Sequence, residues 1–393
     1  MAVRLLVSAG EASGDLYAAQ LVEALRRRNP AMQFYGCAGP RMRSAGVEAV
    51  VDSSALAVAG LVEVVTHIPR IYGEFRKIVA AARRDRPCVA ILTDSPDFHL
   101  RLARKLHALG IPVVYLVAPQ VWAWRKGRLP LMRRVLTRLL CIFPFEERFF
   151  GEHHIPASYI GHPLTRIVKA SAPRPQLRER FRAPESTPLV ALLPGSRVGE
   201  IGRHLPALLD AVERIRESQE CIFALSLPAG FSSDTDLQHF EERFRRSSIK
   251  VFKGSTWDLL ACADVALAAS GTVTVEAALL GTPMVTFYRV TGASWLLGKL
   301  LVRVPFYSMV NLLAGRAIVP ELLQGDMTGA RIAAEALRLL DSPELRRRMK
   351  DDLKQVSEQL AAAGDPMEIA ASVVEQVIEK YGQPANIEEE VHA

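Results

Sequence analysis

Two aspartates follow an apolar run in the segment Thr93–Phe98. Carboxylates at the carboxyl end of a buried strand can act as a general base that takes a proton from an attacking hydroxyl group. Asp94 lies closer to the strand end and is our first choice for this role, whereas Asp97 is equally well explained as an acidic residue in the first turn of a helix. The two do not form the Asp-x-Asp pair with which metal-dependent transferases hold a divalent ion, so we predict no metal.

Two later segments have the composition of phosphate-binding loops. They are Pro194-Gly195-Ser196-Arg197 with Glu200, and Ser270-Gly271-Thr272 with Glu276. Each joins a strand pattern to a helix pattern, and backbone N–H groups at a helix N-terminus attract phosphate oxygens. Arg197 adds a guanidinium with forked donors, and Glu276, one helical turn after Thr272, can accept hydrogen bonds from ribose hydroxyls. The alternative for both is a capped turn. The first is not a P-loop, because no Lys-Ser/Thr follows its glycine.

Two segments of the first half could contact a sugar or a lipid-linked group. The loop after the first strand contains Glu11, Ser13, Gly14 and Asp15. Ser13 or Asp15 is expected to cap the helix that follows, and the spacing is not that of a dinucleotide-binding loop. Trp122 and Trp124, beside Arg125, could stack on a sugar ring or an acyl chain, but tryptophans at this spacing are as common in protein cores.

Strands must position these motifs, because short apolar runs alternate with helical patterns along the chain and so indicate βα units and parallel sheets. In the first half the predicted strands are Val3–Val7, Gln33–Cys37, Cys88–Leu92, Val113–Val117 and Leu139–Phe143. In the second half they are Leu189–Leu193, Ile222–Leu227, Ile249–Phe252, Val265–Ala268 and Met284–Phe287. Each motif above follows one of these strands, as ligand-binding residues do in doubly wound folds.

The length of 393 residues is too great for one ordinary core. A composition break at Lys169–Pro188 contains four prolines and several charges, which is typical of a linker or a surface crossing. We therefore predict an α/β protein with two Rossmann-like, doubly wound parallel-sheet domains, over residues 1–170 and 186–345. The domains are expected to face a cleft between the carboxyl ends of their sheets.

The formal net charge of +7 suits an anionic partner such as a phosphorylated substrate, a nucleic acid or an acidic bilayer surface. No helix-turn-helix, RRM or KH signature is present, so we predict no nucleic-acid partner. The five scattered cysteines include no Cys-x-x-Cys pair, which favours free thiols in a reducing compartment over a zinc site or disulfides. No run of about 18 uncharged apolar residues occurs, so no transmembrane helix is predicted.

One segment, Trp295–Arg303, mixes apolar residues with cations as an interfacial helix does. The residues predicted to contact a membrane are Trp295, Leu296, Lys299 and Arg303. A buried helix with two snorkelling cations is an equal alternative. The sequence carries no signal for an oligomeric state.

In these motifs the chain resembles the lipid-A-disaccharide synthase family. The resemblance rests on Ser8–Asp15, Pro96–Phe98, Val121–Arg125, Ile160–Pro163, Pro194–Arg197 with Glu200, Ser270–Thr272 with Glu276, Asn311–Arg316 and Val319–Gln324. These strings keep the family's order and extend over nearly the whole chain up to Gln324.

The resemblance implies an inverting glycosyltransferase of GT-B architecture that needs no cofactor. The family transfers diacylglucosamine from a UDP-linked donor to 2,3-diacylglucosamine 1-phosphate, in the lipid A pathway of Gram-negative bacteria. The products are a β-1′,6-linked disaccharide phosphate and UDP. UDP is expected at the two phosphate-binding loops, with Asn311 and Gln324 completing the donor pocket.

Two expectations about placement also come from the resemblance. In such folds the last helix crosses back to the N-terminal domain, so residues 365–381 are assigned there. Because both substrates carry acyl chains, the protein is expected in the cytoplasm, bound peripherally to the inner face of the cytoplasmic membrane.

Two other functions remain open from the residues alone. The first is another UDP-sugar enzyme on the same scaffold, such as a cell-wall glycosyltransferase or a UDP-N-acetylglucosamine 2-epimerase. The second is a non-catalytic binder of nucleotide sugars or lipids, for which the two aspartates would be incidental. An epimerase would convert the nucleotide sugar without a lipid acceptor, and a binder would bind UDP without turnover.

Overall fold

The computed structural model describes residues 3–55, 61–228, 231, 234–292, 295 and 304–382. The chain divides into two compact units, of which the first comprises Met1–Pro163 with Leu360–Ala393 and the second Leu164–Gln359. The second unit begins before the predicted boundary because two short helices, Leu164–Ile167 and Arg174–Arg180, contact helices of that unit.

The first unit is a parallel sheet whose strands alternate with helices. The strands are β1 Arg4–Ala9, β2 Gln33–Ala38, β3 Glu48–Asp52, β4 Val89–Thr93, β5 Val113–Leu116, β6 Arg138–Cys141 and β7 Ala157–Tyr159. The helices between them are α1 Ala12–Arg28, α2 Pro40–Ser44, α3 Leu61–Asp85, α4 Pro96–His107, α5 Leu129–Val135 and α6 Pro144–Glu152.

The strand order of this sheet is β3-β2-β1-β4-β5-β6-β7, with every neighbouring pair parallel. The order reverses between β1 and β4, where Ala9 pairs with Thr93. The loops after these two strands therefore emerge side by side at the carboxyl edge, which is the usual ligand position in doubly wound sheets. All five residues of β4 are buried, as in parallel strands that helices cover on both faces.

The second unit repeats the same pattern. Its strands are β8 Leu189–Leu193, β9 Ile222–Leu227, β10 Lys250–Lys253, β11 Val265–Ala269, β12 Met284–Tyr288 and β13 Glu321–Leu323. Its helices are α7 Leu164–Ile167, α8 Arg174–Arg180, α9 Val198–Ser218, α10 Asp234–Arg246, α11 Thr256–Cys262, α12 Thr272–Leu279, α13 Met309–Ala314, α14 Gly329–Asp341 and α15 Pro343–Leu360.

The second sheet has the order β10-β9-β8-β11-β12-β13, again with all pairs parallel. The order reverses between β8 and β11, where Leu193 pairs with Ala268. Both predicted phosphate-binding loops follow these two strands, so they lie together at the carboxyl edge. The predicted fold class, with two doubly wound parallel sheets, is confirmed.

The last helix, α16 Pro366–Tyr381, belongs to the first unit and packs on α1. Asp365 caps it by accepting hydrogen bonds from the Met367 and Glu368 amides at 2.8 and 3.2 Å. Its inner face buries apolar side chains such as Val374, and Arg28 of α1 pairs with Glu375 at 2.9 Å. This helix therefore completes a core that the N-terminal segment begins.

Two smaller observations concern the cysteines and the bilayer. All five cysteines are free, and all but Cys88 are buried. Within the part of the chain that the structure describes, no helix has the length and apolar character required to cross a membrane.

Candidate active site

The Asp94 side chain lies against the start of α1. Its carboxylate accepts hydrogen bonds from the Gly10 amide at 2.9 and 3.1 Å and from the Glu11 amide at 3.0 Å. Gly14 leaves room for this carboxylate, because a Cβ atom at that position would lie 1.7 Å from Asp94 Oδ2. The loop after β1 and the first turn of α1 therefore hold Asp94, at the point where the strand order reverses.

The backbone at Asp94 has an unusual conformation. Asp94 and the next residue, Ser95, have φ values of 55° and 34°, which are unfavourable for residues other than glycine. The Asp94 carbonyl oxygen accepts hydrogen bonds from His99 Nδ1 at 3.0 Å and from the Tyr115 hydroxyl. These two bonds stabilise the turn and fix the direction in which the carboxylate points.

His99 connects this turn to β1. Because the Asp94 carbonyl oxygen can only accept, Nδ1 of His99 carries the proton, and Nε2 accepts from the Ser8 hydroxyl at 2.8 Å. Burial lowers the pKa of His99 to about 4, so the ring is neutral near pH 7. His99 is therefore a neutral, hydrogen-bonding bridge between the two strand ends and not a general acid.

The environment of Asp94 changes its acidity. Burial raises the pKa of this carboxyl to about 7, although the amides of Glu11 and Gly10 oppose the shift by hydrogen bonding to the charged form. Its side chain is only 11% exposed. A carboxylate with a pKa near neutrality is suited to accept a proton and later release it.

Asp97 has a different environment. Its carboxylate is 71% exposed and pairs with Arg125, at 3.0 and 2.8 Å, and with Arg128. Partial burial raises its pKa, but the hydrogen bonds and charges of Arg128 and Arg125 outweigh that effect and lower the pKa below the ordinary value. Geometry and acidity both favour Asp94 over Asp97 as the candidate general base.

The loop after β1, which was predicted to contact a sugar or a lipid-linked group, has a partly structural role. Glu11 and Ser13 are exposed, and the Glu11 amide contacts Asp94. Asp15, however, is buried and accepts hydrogen bonds from the Gly39, Arg41 and Met42 amides at 2.9, 2.9 and 3.1 Å. It therefore caps α2, and the expectation that Ser13 or Asp15 caps the following helix is wrong because both lie inside α1, whose N-cap residue is Glu11.

The two tryptophans have separate roles. Trp122 donates its indole N–H to Glu146 at 2.9 Å, and burial raises the pKa of that fully buried carboxyl to about 7. Trp124 is 39% exposed, with the Arg125 guanidinium 4.3 Å from the centre of its ring. Trp122 is thus half-buried and held by this hydrogen bond, and Trp124 is the more exposed of the two.

In the second unit, the loop after β8 is organised around Glu200. Gly195 has a φ of 128°, a conformation that L-residues rarely adopt, and Arg197 is the N-cap residue of α9. Glu200 accepts hydrogen bonds from the Ser196 amide at 3.4 Å and the Tyr288 hydroxyl at 3.3 Å. The Arg197 side chain is 75% exposed and lies 3.9 Å from Glu200. Glu200 therefore shapes the loop, and Arg197 is free to reach an anion.

A second buried histidine supports that loop. His204 Nδ1 donates to the Pro194 carbonyl oxygen at 2.6 Å, and Nε2 accepts from the Arg289 amide at 3.1 Å. It connects the ends of β8 and β12. Burial lowers the pKa of His204, which keeps the ring neutral and able to accept.

The loop after β11 leads into α12. Gly271 is its N-cap residue, and Gly271 and Thr272 are exposed. Ser270 donates its hydroxyl hydrogen to the Tyr307 carbonyl oxygen at 3.1 Å. Burial raises the pKa of Glu276, against a hydrogen bond with Trp257. The N–H groups at the start of α12 are thus available at the same sheet edge as those of α9.

Two predicted donor-pocket residues are engaged within the protein. Asn311 is completely buried, and its amide bonds the Ile318 and Val319 backbone and Glu321. Asn311 is therefore not available in this structure for the direct contact with the UDP-linked donor substrate that the resemblance implied. Gln324, with its amide oriented to satisfy both partners, bonds the Val290 N–H and carbonyl at 3.2 Å each.

Most of the predicted membrane contacts lie outside the described residues, namely Leu296, Lys299 and Arg303. Trp295 is half-buried, and its ring lies 5.8 Å from that of Tyr307. Among the described residues, no group of three or more His, Cys, Asp or Glu side chains has an arrangement that could hold a metal ion.

Sequence reasoning missed the polar residues that support Asp94. Ser8, His99 and Tyr115 are buried polar groups on β1, α4 and β5. The available signal was a polar side chain at a buried position of an otherwise apolar pattern, because such groups need a hydrogen-bonding partner. The sequence did not show that all three surround one turn.

Comparison with known proteins agrees with this geometry. A family model described as lipid-A-disaccharide synthetase matches residues 5–373. The lipid-A-disaccharide synthase of Solibacter usitatus is 59% identical over 376 residues, covering 96% of this chain and 98% of that protein. The extent of these matches includes both units and every motif described above.

Solved structures share the fold at low identity. The UDP-GlcNAc 2-epimerase from Neisseria meningitidis bound to UDP-GlcNAc superposes with a TM-score of 0.61 at 11% identity, covering 96% of this chain and 100% of that one. MurG from Acinetobacter baumannii gives 0.57 at 12% identity, covering 95% and 99%. With two doubly wound sheets and a family match along nearly its whole length, the chain belongs to the lipid-A-disaccharide synthase family of GT-B glycosyltransferases.

Proposed function

We propose that this protein is a lipid-A-disaccharide synthase. It transfers 2,3-diacylglucosamine from UDP-2,3-diacylglucosamine to 2,3-diacylglucosamine 1-phosphate, and it releases the β-1′,6-linked disaccharide phosphate and UDP. Family membership supports the reaction class. The observation that carries the mechanism is Asp94, a largely buried carboxylate of near-neutral pKa at the reversal point of the first sheet.

Asp94 acts on the acceptor. Its oxygens accept hydrogen bonds from the Gly10 and Glu11 amides and retain lone pairs for the hydrogen of a hydroxyl group. As the 6-oxygen of the acceptor bonds to the anomeric carbon of the donor, its proton passes to Asp94. Attack from the face opposite UDP inverts the configuration at that carbon.

The second unit acts on the leaving group. When the bond between the anomeric carbon and UDP breaks, negative charge grows on the diphosphate. Arg197 and the N–H groups at the starts of α9 and α12 place positive potential where that charge develops. Glu276 accepts hydrogen bonds from the ribose hydroxyls. We propose that these protein groups suffice and that no metal ion is needed.

The first test is an assay in detergent micelles with both proposed substrates, in the presence of EDTA. We expect disaccharide phosphate and UDP in equal amounts, and NMR of the product should show a β linkage from the α-linked donor. Wild-type protein that epimerises the donor without acceptor, or that binds UDP without turnover, would contradict the proposed reaction. Turnover that requires an added divalent ion would contradict only the metal independence.

We further propose that the protein works at the inner face of the cytoplasmic membrane, because both substrates carry acyl chains. The net charge of +7 and the exposed rings of Trp124 and Tyr72 support this location. We expect the protein to sediment with vesicles that contain anionic lipid and to dissociate as the salt concentration rises, since salt screens exposed charges. Neutral vesicles are the control, and equal binding to both kinds would contradict an electrostatic component.

A further inference from the structure

A cluster of two arginines and a tryptophan lies beside the proposed base. Arg125 and Arg128 follow β5, which is the neighbour of β4 in the sheet. Their guanidinium groups converge on Asp97, three residues after Asp94 in the first turn of α4. We call these two residues the arginine pair. It lies at the carboxyl edge of the sheet, beside the turn that contains Asp94.

The arginine pair is preorganised. Arg125 has a φ of 60°, and the short helix Lys126–Arg128 follows at once. The guanidinium carbons of Arg125 and Arg128 lie 4.3 and 6.0 Å from the centre of the Trp124 ring. Stacking on an aromatic face limits the rotamers of an arginine and leaves its forked N–H groups directed at an anion.

Stability alone does not account for this arrangement. Asp97 is 71% exposed and Arg125 is 42% exposed. Solvent therefore screens the ion pair between them, and this ion pair contributes little to folding. Two guanidinium groups also exceed the charge of one carboxylate. A phosphate monoester carries a charge of about −1.5 to −2 and three acceptor oxygens, and so matches two arginines better.

We propose that the arginine pair binds the phosphate monoester of the acceptor sugar, and that Asp97 occupies this position when the acceptor is absent. The inference rests on the proposed function, which supplies a phosphorylated acceptor. It gives Asp97 a role other than the base: its carboxylate holds the two guanidinium groups in place and is displaced by a stronger anion.

The kinetic test compares two acceptors, 2,3-diacylglucosamine with and without the 1-phosphate. We expect Arg125→Gln and Arg128→Gln each to raise KM for the phosphorylated acceptor about 10- to 100-fold and to leave KM for the other acceptor nearly unchanged. Arg101→Gln, at an exposed position of α4, is the matched control and should change neither value. Equal effects on both acceptors would overturn the proposal.

A binding test separates this proposal from the proposed reaction. Glucosamine 1-phosphate should change the tryptophan fluorescence of the wild-type protein, and glucosamine should not. Trp124→Phe should remove the signal, and Arg125→Gln should weaken binding at least tenfold. Asp97→Asn should tighten binding about two- to fivefold, because the competing carboxylate is gone.

The outcomes of the two tests are distinct. Binding of glucosamine 1-phosphate that depends on Arg125, in a protein that makes no disaccharide, would sustain the phosphate site and overturn the proposed reaction. Turnover in which the arginine variants do not discriminate between the acceptors would overturn the site and sustain the reaction. Weaker binding after Asp97→Asn would also overturn the displacement of Asp97 by phosphate.

Discussion

Asp94→Asn is expected to lower turnover about 10²- to 10⁴-fold, the usual contribution of a general base. The amide keeps the size of the side chain but cannot take a proton. Asp351→Asn, at an exposed position of α15, is the matched control, and both variants should bind UDP as the wild type does. Retention of more than a tenth of the wild-type turnover by Asp94→Asn would rule out this residue as the base.

The pH profile of this reaction should follow the pKa of Asp94. Since the base must be ionised and its pKa is about 7, kcat/KM should rise about tenfold per pH unit below 7 and level off above it. The same acidic limb should persist in Asp97→Asn, because the pKa of Asp97 is lowered and not raised. If the acidic limb of Asp97→Asn moved below pH 5, this shift would contradict the assignment of Asp94 as the base.

Asp94→Asn, which should lower turnover, should in contrast raise stability relative to wild type as the pH rises. Because folding raises the pKa of Asp94, its contribution to stability is fully present below the unfolded pKa of about 4 and is lost as the pH rises through the folded pKa of about 7. Asparagine has no such dependence. The free energy of unfolding of Asp94→Asn relative to wild type should therefore increase over this range by about a few kcal/mol, and the difference in Tm should rise with it. A difference in Tm that is constant with pH would contradict a buried, titrating Asp94.

Gly14→Ala is expected to reduce turnover about 100-fold, because displacing a catalytic group by about 1 Å has an effect of that size. The added Cβ would lie 1.7 Å from Asp94 Oδ2 and 3.1 Å from the Thr93 Cγ2 methyl group. The carboxylate must move away from the Gly10 and Glu11 amides. We expect a lower Tm as well, although alanine alone favours a helix by about 1 kcal/mol over glycine.

The control for this prediction is Gly73→Ala in α3, where a Cβ would have no atom within 4 Å. It should leave turnover unchanged and keep or raise the Tm. The double variant Gly14→Ala with Asp94→Asn should be no less active than Asp94→Asn alone, since both changes remove the same group. An additive loss would show that Gly14 acts on catalysis by another route.

The sequence predicted the fold because the central strands are continuous apolar runs. The predicted Leu189–Leu193 and Ile222–Leu227 coincide with β8 and β9, and both are almost fully buried. Among the described residues, the sequence missed the strands β3, β7 and β13, which all lie at sheet edges. Edge strands are short and partly polar, as in Glu321–Leu323, so they lack the apolar pattern on which prediction depends.

The candidate site was predicted less completely. Motifs placed Asp94 and Arg197 at strand ends, since a strand-to-helix junction is visible in sequence. The hydrogen-bonding partners of Asp15 and Asn311 were not visible in the sequence, because each side chain bonds backbone groups that come close to it only in the folded chain. The sequence favoured Asp94 over Asp97 only because it lies closer to the strand end. The difference in their acidities required the structure, since it comes from burial of Asp94 and from the two arginines beside Asp97.

The position of α16 has a consequence for biosynthesis. The first unit needs Pro366–Tyr381 to cover α1, but that helix is translated only after the whole second unit. At about 5–20 residues per second, the N-terminal sheet waits roughly 10–40 s on the ribosome for its last helix. During this time the apolar face of α1 is a surface for chaperones, whereas the second unit, contiguous in sequence, can fold as it emerges. A premature stop before Asp365 would therefore damage the domain that was made first.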